Sequence, residues 1–240
     1  MRELLPLTAS NNGLEFTVND EQAATFTGMP TGASSDTVLA VTVSGDNITH
    51  YKSKVGTGSI DCSSSTGYSA EFAVSIQITT NISGLTDGAI KLCVIGKRTS
   101  GHFQDYTAAT SATWNKDTTA PSVGAGTDNI SGTQITLNGT VTDLSTTTYE
   151  WTKFSGPGGV TLGSNTAEDT TFTADTDGTY VLRLTATDEV GYSAFDDVSI
   201  VWDTLAPAAS LSGNPTGISN TATLAVDVSG TQVYNYKYGI

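Results

Sequence analysis

The chain has 240 residues, with ten Lys plus Arg against 24 Asp plus Glu and a formal net charge of −14. That balance weighs against a nucleic-acid partner, because nothing on such a surface releases counterions from phosphates, and no apolar run reaches the length of a membrane span. The length suits two small sandwiches with a piece left over.

Residues 1–19 read as an N-terminal extension or the end of a preceding module. Met1 to Ser10 (MRELLPLTAS) is too short and wrongly flanked for a secretory signal, so an export signal is expected upstream. Residues 20–117 carry short alternating runs with almost no helical periodicity, which predicts an immunoglobulin-like β-sandwich. Cys62 and Cys93 both fall here. Laying Asp87-Gly88-Ala89-Ile90-Lys91-Leu92-Cys93 on Asp177-Gly178-Thr179-Tyr180-Val181-Leu182-Arg183 points Ile90 and Leu92 inward and leaves Cys93 out of phase with the core. A Cys62–Cys93 bond would then staple the Ser59 to Tyr68 loop to the outer face of the penultimate strand, in an oxidising compartment; two free thiols are the other reading.

Residues 118–204 predict a second sandwich with strands at Gln134 to Thr142, Thr147 to Lys153, Thr170 to Ala174, Thr179 to Thr187 and Ala194 to Trp202. Trp151 on the third strand and Tyr180 after the Asp177-Gly178 turn hold the places of a buried tryptophan and a tyrosine corner. Tyr149-Glu150-Trp151-Thr152-Lys153-Phe154-Ser155-Gly156-Pro157, then Thr171-Phe172-Thr173-Ala174, then Asp177 through Asp188 (DGTYVLRLTATD) carry two separated motifs in order. This stretch, about residues 120–204, resembles the PKD (polycystic kidney disease) repeat family, most closely the variants in bacterial surface proteins. The flanking modules are similar to another bacterial immunoglobulin-like repeat. The resemblance implies an all-β spacer or adhesion module on an exported protein, with no catalytic residues to carry over.

Residues 205–240 restart the first module. Gly28, Pro30, Thr31, Gly32, Leu39, Ala40, Val41, Val43, Ser44, Gly45, Tyr51 and Lys52 recur 185 positions later, from Gly213 to Lys237. The expectation is an incomplete third module, repeating 20–55, that is disordered, aggregation-prone or loosely docked. Both complete modules end alike, in Trp114 followed by Asp117-Thr118-Thr119-Ala120-Pro121 and in Trp202 followed by Asp203-Thr204-Leu205-Ala206-Pro207. Proline so close behind suggests a semi-rigid joint. Acidic residues gather in the adjoining loops: Asp117, Asp143, Asp188 and Glu189 with one linker, Asp175, Asp177 and Asp203 with the other. Calcium at each junction is one reading of them, and solvated turns whose Asp side chains bond their own backbone are the other.

Catalytic constellations are missing from the pattern. His50 and His102 stand alone, and Asp196-Asp197 face opposite sides of a strand, so one of them is expected at a charged sheet edge. The reading is therefore a non-catalytic structural or adhesion array, with neighbouring modules and a surface glycan or protein as partners and secreted or cell-surface localisation. Its rival is a carbohydrate-binding module of a secreted hydrolase, using Tyr51, Tyr68, Phe103, Tyr106 or Tyr192 as exposed aromatics.

Overall fold

Strand formation follows the alternation of apolar and hydroxyl-bearing side chains. The computed structural model describes residues 9–10, 13–14, 23–213, 215–220, 223, 225–233 and 235–237. The reading of residues 1–19 as an extension lies largely outside them; Ala9–Ser10 and Gly13–Leu14 form a short antiparallel pair. Two compact units divide the chain. The first is Met1–Thr119 with Leu144–Thr146 and Glu189–Gly191; the second is Ala120–Asp143, Thr147–Asp188 and Tyr192–Ile240.

The first unit runs through β1 (Thr25–Thr27), β2 (Ala33–Ser34), β3 (Val38–Ser44), β4 (Ile48–Thr57), β5 (Phe72–Ala73), β6 (Ile78–Asn81), β7 (Gly88–Arg98) and β8 (Thr110–Lys116). They make a three-stranded sheet, β1-β3-β6, and a five-stranded sheet, β2-β8-β7-β4-β5. In β3 every second residue is buried, so Leu39, Val41 and Val43 meet Ile90, Leu92 and Val94 of β7 and Tyr51 of β4 in one core. Burying this apolar surface between two sheets is the main force holding the unit together.

The second unit contains β9 (Ser122–Gly124), β10 (Asn129–Ser131), β11 (Ile135–Leu137), β12 (Thr140–Thr142), β13 (Thr148–Ser155), β14 (Val160–Leu162), β15 (Thr170–Ala174), β16 (Gly178–Thr187) and β17 (Ser193–Trp202). Its sheets are β10-β17-β16-β13, β11-β15-β14 and the pair β9-β12. Tyr180, Leu182, Leu184, Trp151, Phe172, Val198 and Ile200 fill the core, with the Phe172 ring edge-on to Tyr180 and Trp202 at 5.8 and 5.6 Å. The run expected as one strand, Gln134 to Thr142, is two. Gly139 lies between them, where a Cβ would come 2.3 Å from the Glu168 carbonyl, and there the chain leaves β15 to join β9.

Beyond these, β18 (Ala208–Ser212) and β19 (Asp227–Thr231) pair antiparallel with their side chains largely exposed. The register repeats the first unit: Leu211 faces Val228 as Phe26 faces Val43. The Ser210–Ser229 hydroxyl contact of 3.0 Å matches Thr25–Ser44 at the same distance. Gly45 and Gly230 share a positive φ, 152° and 149°, so the duplicated text folds into duplicated geometry.

Candidate functional site

The same four-part fastening holds the chain just after β8 in the first unit and just after β17 in the second. Near the entrance, a short strand lies parallel to the exit strand: β2 on β8 and β10 on β17. The residue after the exit strand then donates its N–H back, Asp117 to the Ser34 carbonyl and Asp203 to the Ser131 carbonyl, both at 2.9 Å. Its carboxylate turns the chain by accepting the N–H two residues on, Asp117 from Thr119 at 3.3 Å and Asp203 from Leu205 at 3.0 Å. Finally the Asp of the Asp-Gly turn grips the exit threonine. Asp87 accepts the Thr118 N–H at 2.9 Å and its hydroxyl at 2.8 Å; Asp177 accepts the Thr204 N–H at 3.0 Å and its hydroxyl at 2.9 Å.

Asp87 also takes the nearly buried Lys116 ammonium at 2.6 Å. Burial pulls its carboxyl upward, but the Lys116 and Thr118 donors outweigh that and hold it below the ordinary carboxylate range. Sequence reasoning had not singled out Asp87, Ser34 or Ser131. The signal available was the shared Asp-Gly turn and Asp-Thr exit of both modules.

Other acidic residues are largely occupied within their own units. Asp175 accepts the Thr176 hydroxyl, and Asp203 also takes Gln232 Nε2 at 3.2 Å. Among the described residues, Asp175, Asp177 and Asp203 do not converge as a group of ligand oxygens. Asp143 and Asp188, both of the second unit, bring carboxylate oxygens within 4.8 Å of each other, and Asp188 accepts the Tyr192 N–H at 2.8 Å. Glu189 is exposed. In the first unit Asp117 is fully buried, and its Oδ2 has no hydrogen-bond partner among the described residues. Asp196 and Asp197 pair with β16 on one side, while β10 reaches β17 only at Ile200–Trp202, so on the other side the exposed Asp197 and the half-buried Asp196 lie at an open stretch of sheet edge, as the sequence led one to expect. Asp196 accepts the Ala125 N–H at 2.8 Å, and Asp197 pairs with Arg183 through two hydrogen bonds of 2.8 and 2.9 Å.

Cys62 and Cys93 are joined in a disulfide. Cys93 lies on the face of β7 opposite Leu92 and Val94 and is fully buried, while Tyr68 ties the same loop down by donating to the Cys62 carbonyl at 2.9 Å. Burial, with Tyr106 edge-on beside it, pushes the Tyr68 phenol up to about 12. Tyr51 is not an exposed aromatic: it is 1% accessible, and its hydroxyl donates to the Ile76 carbonyl, so the phase of β4 assigns it to the core.

Trp151 is buried and donates to the Glu168 carbonyl at 3.0 Å; Tyr180 closes its corner by donating to the Thr176 carbonyl at 2.7 Å and accepting the Gly158 N–H. Trp114 and Trp202 are buried at the exits of their cores. Among the described residues no helix is long and apolar enough to cross a membrane.

The profile of the K319L-like PKD domain family matches residues 125–201. The solution structure of the PKD domain from KIAA 1837 protein is similar at 30% identity, over 33% of this chain and 83% of that one, with a TM-score of 0.31. The fibronectin(III)-like modules of Clostridium thermocellum CbhA are similar at 12% identity over 75% of this chain and 93% of theirs, TM-score 0.36. The titin domains z1z2, solved with telethonin, are 16% identical over 76% of this chain and 97% of theirs, TM-score 0.27. No curated protein is significantly similar in sequence.

Proposed function

Residues 125–201 form a PKD-like domain, and from that premise we propose that the chain is a non-catalytic, force-bearing part of an exported or cell-surface array. The observation that carries this reading is the exit fastening. In each unit a near-entrance strand and the exit strand run parallel, so pulling the two ends apart loads their hydrogen bonds in shear. Bonds loaded this way must fail together, whereas an antiparallel hairpin pulled at its open end loses them one at a time. The Asp87–Thr118 and Asp177–Thr204 grips lie directly behind those strands and hold the chain against peeling.

A disulfide and a PKD-like domain fit an extracellular setting. Single-molecule pulling from the chain ends tests the mechanical reading: each unit should unfold in its own high-force event, and yielding of both at the force that opens a hairpin would refute it. The proposal includes calcium. Hard cations favour carboxylate oxygens, and the close approach of Asp143 to Asp188 within the second unit supports it. Millimolar calcium should raise the melting temperature above that in EDTA; identical melting in the two would remove calcium from the account.

A further inference from the structure

The outer face of the β13-β16-β17 sheet carries a second, unrelated arrangement. Phe154 and Phe195 are 62% and 57% exposed, and the Arg183 guanidinium lies 4.4 Å from the centroid of the first and 3.7 Å from that of the second. Asp197 grips the same guanidinium through two hydrogen bonds, which fixes its plane and neutralises it. One face of the Phe195 ring is thus covered by a held cation while the residue stays more than half exposed.

Cross-strand register places Phe195 opposite Thr185, and Thr185 opposite Glu150. A row of ring, hydroxyl and carboxylate therefore crosses three strands and spans about 10 Å. Beside it lies a groove of about 270 Å³ lined by Thr148, Glu150, Thr166, Thr185 and Thr187 together with Tyr149. Among the described residues the side chains of Glu150 and Thr185 make no hydrogen bond, so their capacity is unspent.

We propose that this face binds a neutral saccharide, with a pyranose stacked by its C–H face on Phe195 and its hydroxyls bonded to Glu150 and the groove threonines. An exposed rigid ring beside polar groups that both donate and accept suits a polyhydroxyl ligand. Glu150 is the charge left uncompensated in the row, and the chain's net charge is −14, so an anionic ligand is disfavoured. The site stands on its own geometry and does not depend on the mechanical reading.

Affinity electrophoresis of the whole chain through gels holding β-glucan, xylan, galactomannan or starch tests it, with polygalacturonate as the anionic comparison. At least one neutral polymer should retard the chain. Phe195→Ala should weaken that affinity about tenfold and Glu150→Gln should weaken it, while Phe195→Tyr, which keeps the ring, should retain it. Retardation by none of the neutral polymers, by polygalacturonate alone, or undiminished in Phe195→Ala with a wild-type melting temperature would overturn the proposal. So would Phe195-dependent self-association in place of polymer binding.

Discussion

At the scale of single residues, the two units are closed by carboxylates whose partners are backbone N–H groups and threonine hydroxyls, with the Lys116 ammonium added on Asp87. Asp87 is the best example, because Lys116 and Thr118 stabilise its ionised form beyond what burial removes. A folded-state pKa below the unfolded one contributes stability that is present above the ordinary carboxylate range and lost as pH falls through the folded value. Asp87→Asn should therefore lower the melting temperature of the first unit near neutral pH, and the gap to wild type should close below about pH 4. A gap that stays constant down to pH 2 would show that the charge of Asp87 contributes nothing. Such grips were barely legible in the sequence. An Asp before a turn glycine announces a turn, but nothing in its neighbours says that a threonine 31 or 27 residues later will be delivered to it.

At the scale of elements, the alternating runs gave away most strands, since one buried face demands period-two patterning. One reading failed for a physical reason. Gln134 to Thr142 keeps its alternation through Gly139, yet only a residue without a side chain fits against the Glu168 carbonyl, and the strand changes sheets there. Charge at Asp196-Asp197 does mark an edge, since β10 covers β17 only at Ile200–Trp202 and the two carboxylates beyond it take the Ala125 N–H and the Arg183 guanidinium. The exposed pair Phe154 and Phe195 was missed because the first sits inside a family motif and the second in an ordinary alternating run.

Element scale also holds the disulfide. It closes a separation of 31 residues between the Ser59 to Tyr68 loop and the middle of β7, which restricts the unfolded chain by about 3–4 kcal/mol. Replacing both cysteines by serine should cost the first unit about that much in urea unfolding and leave hydrogen exchange in residues 125–201 unchanged. A loss below about 1 kcal/mol would mean that the loop is held by Tyr68 and its neighbours alone.

For the molecule as a whole, recurrence shows twice, once in the repeated text and once in the fastening that both units share. The Gly28 to Lys52 pattern restarts at Gly213, and β18 and β19 reproduce the register of β1 and β3, so the chain is built from repeated parts. Each complete part ends in a parallel strand pair, an Asx turn and a carboxylate grip, the arrangement on which the proposed force-bearing role rests. The most direct test pulls single molecules of wild type and of Asp177→Ala, with the first unit as internal reference. The account predicts two unfolding events per molecule and a lower force for the second unit alone in the variant. An unchanged force in that unit, or no event above the level of hairpin peeling, would contradict it.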